Sequence, residues 1–181
     1  MPVRGTGDQE RRWNFAARWL PGIPVERAEV RLTGTYRLRP GLYVGVEYNP
    51  LADDVGLLAN WRVFDETEQR PMLMLGTSSD RIGTASGRAY YATIAKDLEQ
   101  LIDLPIAPYF GTAYGEWDSK FELIGGLGIR WRSDLVSTHV YDGYNLHHML
   151  DWYWDSDYRL GAVLAQQGDD YYAGVSVGVG L

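Results

Sequence analysis

Hydrophobic and polar residues alternate with period two along most of this chain. Across residues 29–38, Val30, Leu32, Tyr36 and Leu38 fall on one side with Gly34, while Glu29, Arg31, Thr33, Thr35 and Arg37 fall on the other. Successive side chains of an extended chain point to opposite faces, so this pattern predicts a β-strand with one apolar face. Arg39-Pro40-Gly41 breaks it as a tight turn does. Residues 42–48 repeat the rule, with Gly45 and Glu47 opposite Leu42, Val44 and Val46. Strands are expected again at 57–63, 72–76 and 88–95, where Ala89, Tyr91, Thr93 and Ala95 oppose Arg88, Tyr90, Ala92 and Ile94. Polar loops are expected at 65–69 and 77–84.

The second half continues in kind. Residues 97–104 fit one helical turn or a long loop, and Pro105 and Pro108 confine the next paired segment to 109–114. The cleanest strand is 121–131, with Phe121, Leu123, Leu127, Ile129 and Trp131 opposite Glu122, Gly126, Gly128 and Arg130. Residues 136–141 end at Asp142-Gly143, a hairpin dipeptide, and are expected to pair with 144–152. Strands at 158–165 and 171–181 close the chain. Near the start, 13–20 fits a first strand or a short helix. The chain therefore divides into an N-terminal arm or first strand (1–27) and a β-barrel (28–181). With ten to twelve antiparallel strands and no crossover helix, the fold class is all-β.

Alternation alone does not say whether the apolar face points inward, to a soluble core, or outward, to lipid. The opposite face carries Arg31, Glu47, Arg62, Arg88, Glu122 and Arg130 among glycines and tyrosines. Charges of both signs within strands suit a polar lumen lined by a paired network, since a buried charge is costly alone. Aromatics gather near strand ends: Trp61, Tyr90 with Tyr91, Tyr109 with Phe110, Tyr114 with Trp117, Trp131, Trp152 with Trp154, and Tyr171 with Tyr172. Girdles at two lipid interfaces produce such a pattern. The competing reading is a soluble β-barrel that binds an apolar ligand. Composition narrows the rest. A net charge of -7 with no basic stripe argues against nucleic acid as a partner. The chain holds no cysteine, which removes disulfides and thiolate chemistry. No run of apolar residues is long enough for a transmembrane helix, and the opening residues lack the apolar core of a secretory signal. A membrane barrel would thus have lost a leader before this start.

The segment Phe121-Glu122-Leu123-Ile124-Gly125-Gly126-Leu127-Gly128-Ile129-Arg130-Trp131, together with 41–50 and 173–181, resembles the strands of small bacterial outer-membrane β-barrel proteins. That resemblance implies an antiparallel up-and-down transmembrane barrel in the bacterial outer membrane, with lipid and another envelope protein as partners. It implies a non-enzymatic envelope component without cofactor: an anchor, a scaffold or a narrow channel. One departure is the last residue, Leu181, where such proteins commonly end in an aromatic.

Candidate chemistry is confined to one stretch. His139, Asp142, His147, His148, Asp151, Asp155 and Asp157 lie together and include every histidine of the chain. His147 and Asp151 share strand parity, and His139 is expected to join them across the hairpin. Histidine beside a carboxylate suits acid–base chemistry, so a membrane-embedded hydrolase of lipid or envelope polymer is the alternative function. Ser137 shares parity with His139, although two residues along one strand is a long reach for proton transfer. No hydrolase or metal-site motif supports either idea, and no metal is expected.

Overall fold

The computed structural model describes residues 11–155 and 157–181. Of the N-terminal arm or first strand expected over 1–27, residues 1–10 lie outside them. Twelve strands follow in chain order: β1 (Trp13–Trp19), β2 (Val30–Arg39), β3 (Leu42–Asn49), β4 (Asp54–Phe64), β5 (Met72–Ser79), β6 (Arg88–Ala95), β7 (Ile106–Gly115), β8 (Lys120–Arg132), β9 (Leu135–Tyr141), β10 (Leu146–Trp154), β11 (Tyr158–Gln167) and β12 (Asp170–Gly180). Two single-turn helices interrupt them, α1 (Glu26–Glu29) and α2 (Glu99–Ile102). Every strand pairs antiparallel with its sequence neighbours, and β1 pairs with β12 to close the barrel.

Of the two readings open for residues 13–20, the strand is the one found, so the barrel wall begins at Trp13 rather than residue 28. Residues 97–104 hold a helical turn. Pairing in β7 starts earlier than its prolines suggested: Pro108 sits opposite Leu127, and its carbonyl still accepts a hydrogen bond from Lys96 N at 3.1 Å. Proline removes a donor but not an acceptor, so the ladder passes through it. An even number of strands places both termini on one rim, where Trp13 and Leu181 exchange backbone bonds of 3.0 and 2.8 Å. This rim is called the terminal rim below, and its opposite the far rim.

The register sorts side chains cleanly. Leu32, Val46, Leu57, Leu75, Ile94, Phe110, Leu123, Leu150, Leu160, Val175 and Val177 point outward and are exposed. Outward aromatics bracket this band, with Trp13, Trp61, Trp131, Trp152 and Tyr158 toward the terminal rim and Trp19, Tyr48, Tyr90, Phe121 and Tyr171 toward the far rim. Tyr91, Tyr109 and Tyr172, expected in the girdles, point inward instead. A strand gives adjacent residues to opposite faces, so only one of each adjacent aromatic pair faces outward, whereas Trp152 and Trp154, two residues apart, both do.

Inside, bulk and emptiness alternate. The Tyr91 ring lies across Gly76, where a Cβ would run into it, and the Tyr91 hydroxyl donates to Asn60 Oδ1. The apolar core sits at the far rim. There Leu20, Ile23 and Ala28 of the β1–β2 loop turn in against Val163 and Ala165 of β11, with Ile82 and Met149 beside them.

Candidate functional site

The β1–β2 loop is fixed across the barrel mouth by one side chain. Pro21, Gly22 and Pro24 bar a regular strand, and Gly22 takes a positive φ of 76°, which turns the chain inward. α1 then aims Arg27 at the β5–β6 loop. Its Nε donates to the Thr84 carbonyl at 2.9 Å and one terminal nitrogen to the Gly87 carbonyl at 2.8 Å. The other donates to Thr84 Oγ1 and to the Asp80 carbonyl. Arg27 is buried, and burial lowers its guanidinium pKa, nearby Asp54 being the largest opposing influence. Two loops separated by more than fifty residues are thereby tied over the far end of the lumen. Nothing in the alternation of the strands signals this contact.

Of the six charged residues expected to line the lumen, Arg31, Glu47, Arg62, Glu122 and Arg130 occupy inward register positions in separate groups, whereas Arg88 shares strand parity with the outward Tyr90 and reaches Gly56 by its guanidinium. Arg31 pairs with buried Glu47, and the Arg88 guanidinium packs beside Glu47 against Gly56. Near the terminal rim, Arg62 pairs with Asp65 at 2.8 Å and Arg130 with Glu99 of α2. At the far rim, Glu122 accepts from the Tyr144 hydroxyl at 2.9 Å. Arg37, placed with Arg31 on the polar face of its strand, also turns inward, as do Arg18 and Arg159, which the sequence reading did not assign; Arg159 pairs with Asp151 at 3.1 Å.

Around Tyr144 the far mouth is polar. Arg81 binds Asp118 at 2.6 Å and stacks over the Tyr144 ring at 3.8 Å, and Tyr144 also donates to Asp118 at 3.1 Å. The Arg81 hydrogen bond holds the Asp118 carboxyl below the usual carboxylate range. The carboxylates of Glu122 and Asp118 push the Tyr144 hydroxyl up to about 12.

The histidine cluster is divided by the barrel wall, which corrects the expectation that His139 joins His147 and Asp151. His147 faces the lumen and binds Asp142 Oδ2 at 2.8 Å. The other Asp142 oxygen accepts from Tyr144 N and Asn145 N at 3.0 and 2.8 Å. Asp142 therefore fastens the β9–β10 turn. Asp151 also faces inward, toward Arg159. His139 points outward, because its partners in register are the outward Leu127 and His148. Its Nδ1 lies 2.8 Å from His148 Nδ1, and its Nε2 lies 3.3 Å from Ser137 Oγ. Among the described residues, no three histidine or carboxylate side chains gather as a metal site.

No protein-family model and no curated protein matches the chain. Solved structures do. A KdgM porin superposes with a TM-score of 0.66 at 11% identity, covering 93% of this chain and 98% of that one. A KdgM porin in complex with disordered oligogalacturonate superposes with a TM-score of 0.63 at the same identity and coverage. The likeness is one of fold, and it places this closed twelve-stranded ring beside small outer-membrane porins over nearly the full length of both chains.

Proposed function

We propose that the protein is a bacterial outer-membrane barrel that serves as a narrow channel, with a lumen that conducts rather than catalyses. The observation that carries this reading is the outer surface. A continuous apolar band, bracketed by two rings of aromatics, encircles a wall whose charged side chains point inward. Water would not favour so much exposed Leu, Val, Phe and Trp, whereas hydrocarbon does. A soluble barrel would place its apolar face inside, so that reading is not favoured.

The lumen suits a small anionic solute. Inward arginines at positions 18, 31, 37, 62, 130 and 159, with the Arg88 guanidinium reaching in beside Gly56, outnumber the inward Glu47, Asp54, Glu122 and Asp151 of the strands. Rings of one charge sign set the selectivity of a pore. A similar porin is seen with oligogalacturonate, an acidic oligosaccharide. We take short acidic oligosaccharides as the solute class for this chain. In planar bilayers under a salt gradient, the reversal potential is expected to report anion preference. Arg88→Ala is expected to reduce that preference. Cation preference, or no conductance even after the mouth is opened, would overturn the proposal.

A further inference from the structure

We propose that Ser137, His139 and His148 form an acyl-ester hydrolase site on the lipid-facing side of the wall. The proposal rests on the membrane reading above but concerns the outside of the barrel, not its lumen.

The outward positions of the strands are apolar or aromatic almost throughout. On β9 and β10 they carry Ser137, His139 and His148 in a shallow groove completed by Trp131, Leu135 and Leu150. Ionisable groups facing hydrocarbon are costly, and where they occur they point to function. Their bonding has a direction. Trp131 Nε1–H donates to Ser137 Oγ at 2.9 Å. With His139 protonated at Nδ1, the Ser137 hydroxyl donates to its Nε2 and its Nδ1–H to His148 Nδ1, at 3.3 and 2.8 Å. A hydroxyl bonded to an imidazole that a third group orients is the arrangement of an activated nucleophile. It answers the objection from sequence spacing, because the two side chains lean together on one face and close to 3.3 Å.

Depth and local irregularity agree. Ser137 sits opposite Ile129, two residues from Trp131 in the aromatic ring, about 7 Å along the strand. Lipid ester groups lie at that interface, and water is close by. The β8–β9 register breaks between Arg130 and Arg132, and bulges of this kind re-aim a side chain beside a site. Here the side chain is the Trp131 indole, whose Nε1 lies 2.9 Å from Oγ, beside where an oxyanion would develop. Outward Ala162 and Ala173 leave room in the groove for an acyl chain.

The reaction balances without a cofactor. Ser137 Oγ bonds to the ester carbonyl carbon as its proton passes to His139 Nε2. The carbon–oxygen bond to the glycerol breaks, and the same proton leaves on the alcohol. Water then attacks the acyl-serine, again through His139 Nε2, releasing a fatty acid and restoring the hydroxyl. His148 is a positioning residue that holds His139 in the required tautomer.

The test uses the full chain refolded in phospholipid vesicles, with folding checked by heat-modifiable mobility. Wild type is expected to release fatty acid and lysophospholipid at least tenfold faster than Ser137→Ala, and to react with a fluorophosphonate probe at Ser137. His139→Ala is expected to lose both. His148→Asn keeps an acceptor near the Nδ1 position and is expected to retain most of the rate, whereas His148→Leu loses it. If wild type matches folded Ser137→Ala in both readouts, the proposal fails. Bilayer conductance measured on the same variants is expected to be unchanged, so failure of the hydrolase leaves the channel reading standing and the converse also holds.

Discussion

Individual residues show how finely the two faces of the wall are specified. Gly76 is needed because the Tyr91 ring occupies the space its side chain would take. Gly76→Ala is expected to destabilise the barrel by about 1–3 kcal/mol, the usual cost of overpacking. Pairing it with Tyr91→Ala should recover part of that loss, which a double-mutant cycle in urea would measure. At the far mouth, the lowered Asp118 pKa makes its contribution present above the unfolded-state value and lost only as pH falls through the lower folded value. The Arg81–Asp118–Tyr144 cluster is thus expected to persist through neutral pH and loosen only in acid. Arg81→Ala should return the Asp118 carboxyl toward its ordinary range, as carboxyl chemical shifts would report. Most strand faces were legible in the sequence at this scale, because period two assigns residues to alternate faces, although Tyr91, Tyr109 and Tyr172 were expected in the girdles and turn inward. The histidines show where that legibility ends. Whether His147 or His148 faces His139 depends on the register of the β9–β10 hairpin, and Asp142 sets that register through bonds to Tyr144, Asn145 and His147. A slip of one residue exchanges the faces, and no count along the sequence fixes it.

At the scale of elements, strands and loops differ in how they are encoded. The strands were visible nearly end to end, and the structure lengthens several of them, as with β5, which runs on to Ser79 through residues expected as loop. The β1–β2 loop was not visible as a plug, since its fold depends on carbonyls supplied by a loop far along the chain. That dependence makes a prediction. Arg27→Ala removes every bond that ties the two loops through this side chain and takes the guanidinium donor from the carbonyls of Asp80, Thr84 and Gly87, of which Gly87 keeps its bond from Asp80 N. The mouth is expected to open: single-channel conductance should rise several-fold, and protease should cut at 20–29 in vesicles where wild type resists. Unchanged conductance with a fully cut loop would show that the plug is not the constriction.

For the whole molecule, the outward band makes membrane insertion a matter of geometry. The chain has no cysteine, so single cysteines can be placed at will. At Val175 and Val177 they are expected to be shielded from a water-soluble thiol reagent only when detergent or lipid surrounds the protein. At Ser176 and Gly178, which face inward, the environment should make little difference. Shielding of the Val175 and Val177 positions in plain buffer would instead describe a soluble protein whose apolar face is its core.

Eleven of the twelve pairings join neighbours in sequence, and one, β1 with β12, joins the two ends. The eleven can form by local zipping, each closing only a short loop, while the last must wait for a curled sheet to bring its edges together. Because Trp13 and Leu181 already touch, a short linker from Leu181 to Trp13, in place of residues 1–12, would join β12 to β1 directly, with new ends cut at any exposed turn. Such a circular permutant would keep every strand pairing of the ring and move the slow, end-to-end step to a different seam. If ring closure limits folding, permutants opened at different turns should fold at different rates while reaching the same final stability.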